Sequence, residues 1–201
     1  MFTGIITAIG TVSTVAQQGD TRLRIACPYD TSAIDIGASI ACSGVCLTVV
    51  ERGEGWFAVD VSGETRSRTT PGQWTEGRRL NLEQAMKLGD ELGGHIVTGH
   101  VDAVGTVAIR EERGGSIHFE IDAPADMAPF IAGKGSITVD GVSLTVNAVQ
   151  DLPGGTARFA LNIIPHTAEV TTLGALAVGD IVNLEIDVLA RYLKRMQSLQ
   201  T

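Results

Sequence analysis

The chain has 201 residues, of which 44% are hydrophobic and 19% charged, a composition that predicts one or two globular domains and excludes a disordered chain or a coiled-coil rod. The net charge of −8 argues against a broad nucleic-acid-binding surface. No apolar run approaches the ~18 residues of a membrane span, and the first ten residues lack the pattern of a signal peptide. We therefore expect a cytoplasmic protein without a membrane or nucleic-acid partner. The odd number of cysteines, three, favours reduced thiols over a disulfide framework.

The sequence contains an internal repeat. GIITAIGTV from Gly4 returns as GHVDAVGTV from Gly99, and SIACSGVCLTV from Ser39 returns as SITVDGVSLTV from Ser136. Further along, FAVDVSGET matches FALNIIPHT, and LNLE matches VNLE. The blocks occur in the same order in both halves, which predicts two homologous domains. A solenoid is excluded because it would need three or more repeats. We place these domains at residues 1–96 and 97–187, followed by a unique tail at 188–201.

Within each repeat the predicted elements are short strands. They are rich in Val, Ile, Thr and Phe and are bounded by Gly, Asp or Pro at a spacing typical of a small barrel. Helix is sparse, with short helices expected at 83–88 and 124–133.

The tail carries Val188, Tyr192, Met196 and Leu199 at helical spacing, which predicts an amphipathic helix. That helix packs either on its own barrel or on other subunits. The fold class is therefore all-β, with two tandem barrels and a C-terminal α-helix.

Several familiar chemistries lack support in the sequence. It has no G-x-G-x-x-G motif, no P-loop and no G-x-S-x-G nucleophile elbow. Cys42 and Cys46 have no second pair of cysteines, and His95 and His100, five apart on a strand, would point to opposite faces. We therefore predict no metal site.

The two repeats differ at polar positions inside their best-matched blocks. The differing pairs are Cys46/Ser143, Ile5/His100, Asp60/Asn162, Glu64/His166 and Ala85/Asp187. We interpret them as two similar pockets that hold two similar molecules in unequal roles. His100 is a candidate for proton transfer or a structural strand histidine, Cys46 a nucleophile or a small buried residue, and Ser143 a ligand-positioning group or a backbone partner.

Six stretches carry a resemblance to a known family. MFTGI, CLT, GGHIVTGHVD, DGVSLTV, and HTAEVTTLG followed by VNLEID are similar to the riboflavin synthase family, whose members contain two lumazine-binding repeats. The resemblance covers essentially the whole chain. It implies two six-stranded Greek-key barrels and a homotrimer assembled through C-terminal helices. It also implies a cofactor-free dismutation of two 6,7-dimethyl-8-ribityllumazine molecules into riboflavin and 5-amino-6-ribitylaminouracil. A lumazine synthase shell is a candidate partner, and a non-catalytic lumazine- or flavin-binding antenna protein is the alternative function.

The resemblance further implies an active site that joins the N-terminal barrel of one subunit to the C-terminal barrel of a neighbour. The implied N-terminal ligand shell comprises Gly4, Ile5, Ile6, Cys46, Leu47, Thr48, Asp60, Val61, Ser62, Gly63, Glu64 and Thr65. The implied C-terminal shell comprises Gly99, His100, Val101, Lys134, Ser143, Leu144, Thr145, Asn162, Ile163, Ile164, Pro165, His166 and Thr167. The resemblance also implies catalytic roles for the residues at the matched positions, which are Phe2, Cys46, His100, Ser143, Thr145 and Asp187. His166 departs from the family, which has glutamate between the corresponding proline and threonine.

Overall fold

The computed structural model describes residues 1–199, and its first repeat is a closed antiparallel barrel. Its six strands are β1 (Ala8–Gln18), β2 (Asp20–Ala26), β3 (Ser39–Cys42), β4 (Val45–Gly53), β5 (Trp56–Val61) and β6 (Arg79–Gln84). They are hydrogen-bonded in the order β1-β2-β5-β4-β3-β6, a Greek-key arrangement. Alternate side chains such as Leu23, Ile25, Phe57 and Val59 are wholly buried inside the barrel, because successive strand residues point to opposite faces.

The second repeat forms a curled sheet of seven strands. They are β7 (Ala103–Arg113), β8 (Ser116–Ala123), β9 (Ser136–Val139), β10 (Val142–Thr145), β11 (Ala148–Asp151), β12 (Ala157–Ile163) and β13 (Ile181–Ile186). The additional strand arises because the stretch that matches β4 is divided into β10 and β11 at Val146 and Asn147. The Val146 amide donates to the Gly135 carbonyl (2.9 Å) and the Asn147 amide to the Ala160 carbonyl (2.8 Å), so the chain keeps the same path across the gap. The prediction of two tandem barrels is confirmed, with this extra break in the second.

Helical structure is confined to short segments and the tail. The helices are α1 (Gly63–Arg68), α2 (Pro165–Val170) and α3 (Val188–Gln197), with 3-10 turns at Thr31–Ala33, Ala128–Phe130 and Thr172–Ala175. The expected helix at 83–88 is wrong, because the first two of its residues end β6. The one expected at 124–133 is a single 3-10 turn. The helix predicted in the tail is confirmed as α3, and residues 200 and 201 of that tail lie outside the described part of the chain. Among the described helices, none has the length and apolar character needed to cross a membrane.

The two barrels meet at the turns that join β3 to β4 and β9 to β10. A Cβ on Gly44 would lie 2.9 Å from the Gly141 amide nitrogen, and one on Gly141 would lie 2.7 Å from that of Gly44, so only glycine allows this contact. Asn81 donates a side-chain hydrogen bond to the Asp140 carbonyl, and Asn183 donates one to the Ser43 carbonyl, both at 2.9 Å. Each barrel therefore binds the turn of the other through the same asparagine of the repeat.

The carboxyl group of Asp140 makes this junction sensitive to pH. One of its oxygens accepts the backbone amide proton of Asn183 (2.8 Å). Burial raises the pKa of Asp140 to about 7. Arg78 opposes this shift and Asp180 adds to it. The folded state then holds a proton that the unfolded chain releases above an ordinary pKa of 3.8, so the free energy of unfolding falls as the pH rises from about 4 to about 7.

We expect Asp140→Asn to remove this loss of stability. The amide keeps the acceptor for Asn183 and tolerates the left-handed backbone found at this position (φ 45°). At pH 8 the variant should be more stable by on the order of 2 to 4 kcal/mol, and near pH 4 the two proteins should be alike. Denaturant unfolding from pH 4 to 9 measures this, with the exposed Asp126→Asn as control. Parallel stability curves for the Asp140 variant and the native chain would contradict the assignment.

Candidate active site

Two matching loops, Thr3–Gly4 and Thr98–Gly99, are each held by a buried carboxylate. Glu83 accepts the amide and hydroxyl protons of Thr3 (2.6 and 2.7 Å) and the Gly4 amide proton (2.9 Å). Glu185 accepts the same three protons from Thr98 and Gly99 at 2.7, 2.7 and 3.0 Å. Burial raises the pKa of both glutamates, and the three hydrogen bonds oppose that rise. The carboxylates therefore fix the backbone that carries Ile5 and His100.

Each loop lies against the barrel of the other repeat. The Ser143 amide donates to the Gly4 carbonyl, and the Cys46 amide donates to the Gly99 carbonyl, both at 2.8 Å. Beyond these contacts, Ile6 packs on the core of the second barrel and Val101 on that of the first. The loops therefore cross between the barrels.

This crossing corrects the predicted grouping of the site residues. Gly4, Ile5 and Ile6 lie with the second barrel rather than in an N-terminal shell, and Gly99, His100 and Val101 lie with the first. The cause is the antiparallel bridge between Phe2 and Val97, which pairs the chain segments that lead into the two loops. The alignment of the repeats could not reveal this, because it matches residues without placing them.

We use two names for the resulting groups. The first half-site is Cys46–Thr48 and residues 60–65 with the loop 99–101. The second half-site is Ser143–Thr145, residues 162–167 and the exposed Lys134 with the loop 4–6.

A histidine and a serine are hydrogen-bonded in the second half-site. His95 Nδ1 lies 2.7 Å from Ser143 Oγ, and His95 Nε2 lies 3.2 Å from Thr138 Oγ1. Burial lowers the pKa of His95, while the nearby Asp187 opposes that shift. A neutral imidazole donates from one nitrogen and accepts at the other, so His95 can receive the Ser143 hydroxyl proton while donating to Thr138.

From the sequence, His95 is a candidate only as a zinc ligand without partners, so its contact with Ser143 is a finding of the structure. The available signal was its place beside His100 in the GGHIVTGHVD stretch, where two histidines flank the Thr98–Gly99 loop. Among residues 1–199, no group of three or more His, Cys, Asp or Glu side chains could hold a metal ion.

The other predicted catalytic residues differ in their exposure and in the contacts they make. His100 is exposed on its loop, and Thr145 is exposed at the end of β10. Asp187 accepts the Leu189 amide proton (2.9 Å) and so caps α3. Phe2 is wholly buried with Ala41 and Val97, which places its ring in the packing behind the Gly99 loop rather than at the surface.

The segments 60–65 and 162–167 connect a strand to a short helix in each repeat. Ser62 Oγ accepts the Thr65 amide proton (3.1 Å) and caps α1, whereas α2 begins at Pro165 without a side-chain cap. Glu64 forms an exposed ion pair with Arg68 (2.9 Å), and His166 is exposed at the matched position. Both segments therefore present their first helical turn to the surface.

A cavity of about 620 Å³ lies beside the 4–6 loop, within the size range of small-molecule sites. Ile5 and Gly93 line it on the side of this loop, and Tyr29 and Glu83 line it on the side of the first barrel. The cavity reaches the second half-site through Ile5, and most of its lining comes from residues 83–93.

Comparison with known proteins supports this geometry. The lumazine binding domain family matches residues 3–85 and 98–187. The riboflavin synthase of Brucella abortus (strain 2308) is 48% identical over the full length of both chains, and that of Photobacterium phosphoreum is 44% identical over 98% of this chain and 88% of the relative. The structure of LumP complexed with riboflavin has a TM-score of 0.81 at 26% identity, covering 92% of this chain and 99% of that one. LumP complexed with 6,7-dimethyl-8-(1'-D-ribityl) lumazine has a TM-score of 0.78 at the same identity, covering 92% of this chain and 98% of that one.

Two barrels with matched surface half-sites thus define a lumazine-binding protein with two repeats. Within that class, the chain belongs to the riboflavin synthase family.

Proposed function

We propose that the protein catalyses the dismutation of two 6,7-dimethyl-8-ribityllumazine molecules into riboflavin and 5-amino-6-ribitylaminouracil. A four-carbon unit passes from one molecule to the other, and the two products together contain all the atoms of the two substrates, so the reaction needs no cofactor. The observation that carries the proposal is the pair of half-sites with the same backbone frame and unequal polar groups. A reaction between two copies of one substrate requires two similar pockets that treat their ligands differently.

The chemistry begins with a proton on the C7 methyl group of one lumazine, which is acidic because the resulting carbanion is delocalised into the ring. A positioned base of moderate strength suffices for its removal. His95, neutral and hydrogen-bonded to Ser143, can receive a proton through that hydroxyl in the second half-site. His100 and Cys46 are the corresponding groups in the first.

We further propose a homotrimer held together by α3. The apolar side chains of this helix remain exposed within one chain, with Leu189 at 64%, Tyr192 at 65% and Met196 at 61%. Asp102 accepts a hydrogen bond from Arg191 (2.9 Å) and thereby fixes the base of α3 on the second barrel. An anchored helix with an uncovered apolar face supports association with other copies of the chain.

We also propose a cytoplasmic location and a lumazine synthase shell as a partner. Cys27, Cys42 and Cys46 are free thiols, which supports the cytoplasmic location. The candidate lumazine synthase shell is tested by co-sedimentation of the two purified proteins.

The test of the reaction is incubation with 6,7-dimethyl-8-ribityllumazine alone. We expect riboflavin and the aminouracil to appear in equal amounts, with two lumazine molecules consumed for each riboflavin formed. A protein that binds lumazine stoichiometrically and forms no riboflavin would be the antenna protein instead, and the proposal would be wrong.

Replacing Glu185 by glutamine should separate positioning of the 98–99 loop from the chemistry. The amide keeps one acceptor oxygen and replaces the other by an NH₂ group, so at least one of the three donors, such as the Gly99 amide, faces a donor in place of an acceptor. Because a buried donor left unpaired costs about 1–3 kcal/mol, we expect lower stability and at least a ~10-fold loss of kcat as His100 is displaced. Stopped assays and thermal unfolding measure both effects, with the exposed Glu54→Gln as control. Unchanged kcat in the Glu185 variant would contradict this role.

A further inference from the structure

Each barrel has a cross-strand pair of polar side chains at a matched position on its outer face. Arg22 on β2 lies opposite Asp60 on β5, and His118 on β8 lies opposite Asn162 on β12. The pairs occupy the same place in the two repeats, since Asp60 and Asn162 open the two segments that lead into α1 and α2. They are chemically different, although their backbone setting is the same.

The pair in the first barrel is ionic and closed on itself. Arg22 donates from Nε to Asp60 Oδ1 and from Nη2 to Asp60 Oδ2, both at 2.8 Å. The hydrogen bond from Arg22 holds the pKa of Asp60 below its usual range. A bidentate guanidinium fixes the orientation of a carboxylate, so the first half-site presents a charged group whose two oxygens are already engaged.

The pair in the second barrel is built from an imidazole and an amide. His118 Nδ1 lies 3.0 Å from Asn162 Oδ1, and because an amide oxygen can only accept, His118 is the donor. His118 is buried, with 7% of its surface exposed, whereas Asn162 is exposed. The imidazole therefore fixes the amide with its NH₂ group directed away from the ring, where it can donate to a ligand.

Two acidic groups lie around His118 on the sides that do not face Asn162. Glu120 Oε1 lies 3.5 Å from His118 Nε2, and Glu120 is itself 4.0 Å from Arg158. Across β7, the residue paired with His118 is Glu111, which binds Arg113 at 2.6 Å. Neither acidic group contacts His118 Nδ1, the ring nitrogen that faces Asn162.

We propose that these two pairs are specificity-determining elements that give the half-sites different affinities for a flavin or lumazine ring. Arg22 and His118 are positioning residues that act through Asp60 and Asn162. The second half-site offers an amide donor to a ligand carbonyl or hydroxyl group, where the first offers an engaged carboxylate. The inference rests on the proposed function in one respect, which is that the segments 60–65 and 162–167 hold ligand.

Exchange of the pairs between the barrels tests the inference in the full-length protein, with riboflavin as the probe. The double variant H118R/N162D gives the second barrel the ionic pair, and R22H/D60N gives the first barrel the imidazole–amide pair. Fluorescence titration of the native protein should resolve two affinity classes that differ about 5-fold, the effect of one hydrogen bond. In each double variant, the two classes should merge into one.

Matched controls separate this effect from general disruption. Arg158 and Asp122 form a second bidentate pair on the same face at 2.6 and 2.9 Å, away from the ligand segment, and D122N, which leaves Arg158 beside Glu120, should leave both affinity classes unchanged. H118Q, which retains a donor for Asn162, should preserve the two classes, whereas H118L should lower the affinity of one.

A native protein with a single affinity class, or double variants that keep both classes, would overturn the inference. Because riboflavin binding requires no turnover, a chain that showed the predicted exchange but formed no riboflavin would refute the proposed function alone.

Discussion

A chain that ends at Asp187 is expected to sediment as a monomer and to lose nearly all riboflavin-forming activity. Truncation removes α3, whose exposed apolar side chains each contribute about 1.5–3 kcal/mol when fully buried against another subunit. Activity falls with assembly because the active site that we propose, as the family resemblance implies, takes one half-site from each of two subunits. Sedimentation velocity and the lumazine assay on the same samples measure both effects.

Single substitutions on α3 refine this prediction. Leu193→Lys places a charge on the exposed apolar face and should weaken the trimer, whereas Lys194→Glu changes an exposed position without removing apolar surface and serves as control. An intact trimer from the truncated chain would show that assembly depends on another surface.

His100→Ala and Ser143→Ala are expected to lower kcat by ~100- to 10,000-fold while changing ligand affinity only several-fold. Proton transfer by a positioned group contributes a factor of this size, whereas a ligand held by many backbone and hydroxyl contacts loses a single partner. Single-turnover kinetics and riboflavin titration separate the two quantities. His95→Gln should resemble Ser143→Ala, because it replaces the imidazole that lies 2.7 Å from the Ser143 hydroxyl by an amide, which can accept a hydrogen bond but takes up no proton.

Two further cysteine variants serve as references for these results. Cys27→Ala should have little effect, since Cys27 is assigned to neither half-site, and Cys46→Ser should keep most activity if Cys46 only positions ligand, as Ser143 does at the matched position. Native turnover in His100→Ala would mean that His100 is a structural residue of its loop.

The barrels and the tail helix were predictable because their signals are local or repeated. The matched blocks fix two copies of one fold, and the spacing of Tyr192 and Met196 identifies α3. The short helices α1 and α2 gave no such signal. Each has only six residues, too few for a periodic apolar face, and α1 depends on the Ser62 cap.

The crossing of the two loops could not be predicted from the sequence. It depends on the Phe2–Val97 bridge and on long-range bonds such as that between the Gly4 carbonyl and the Ser143 amide. The pairing of His95 with Ser143 depends on the same contacts, because the loop that brings Gly94 against Ser143 also brings the histidine there. The sequence can identify such residues as candidates, but it cannot identify the residues that they contact in the folded chain.

The central claim, that each active site joins the first half-site of one subunit to the second half-site of another, is tested most directly by mixing two inactive proteins. His100→Ala disables the first half-site and Ser143→Ala the second, so each homotrimer should be nearly inactive. After refolding together in equal amounts, random assembly should place the two intact half-sites at about a quarter of the subunit contacts and restore about a quarter of native activity. A refolded mixture no more active than its separate components would contradict the claim and place both half-sites of each active site within one chain.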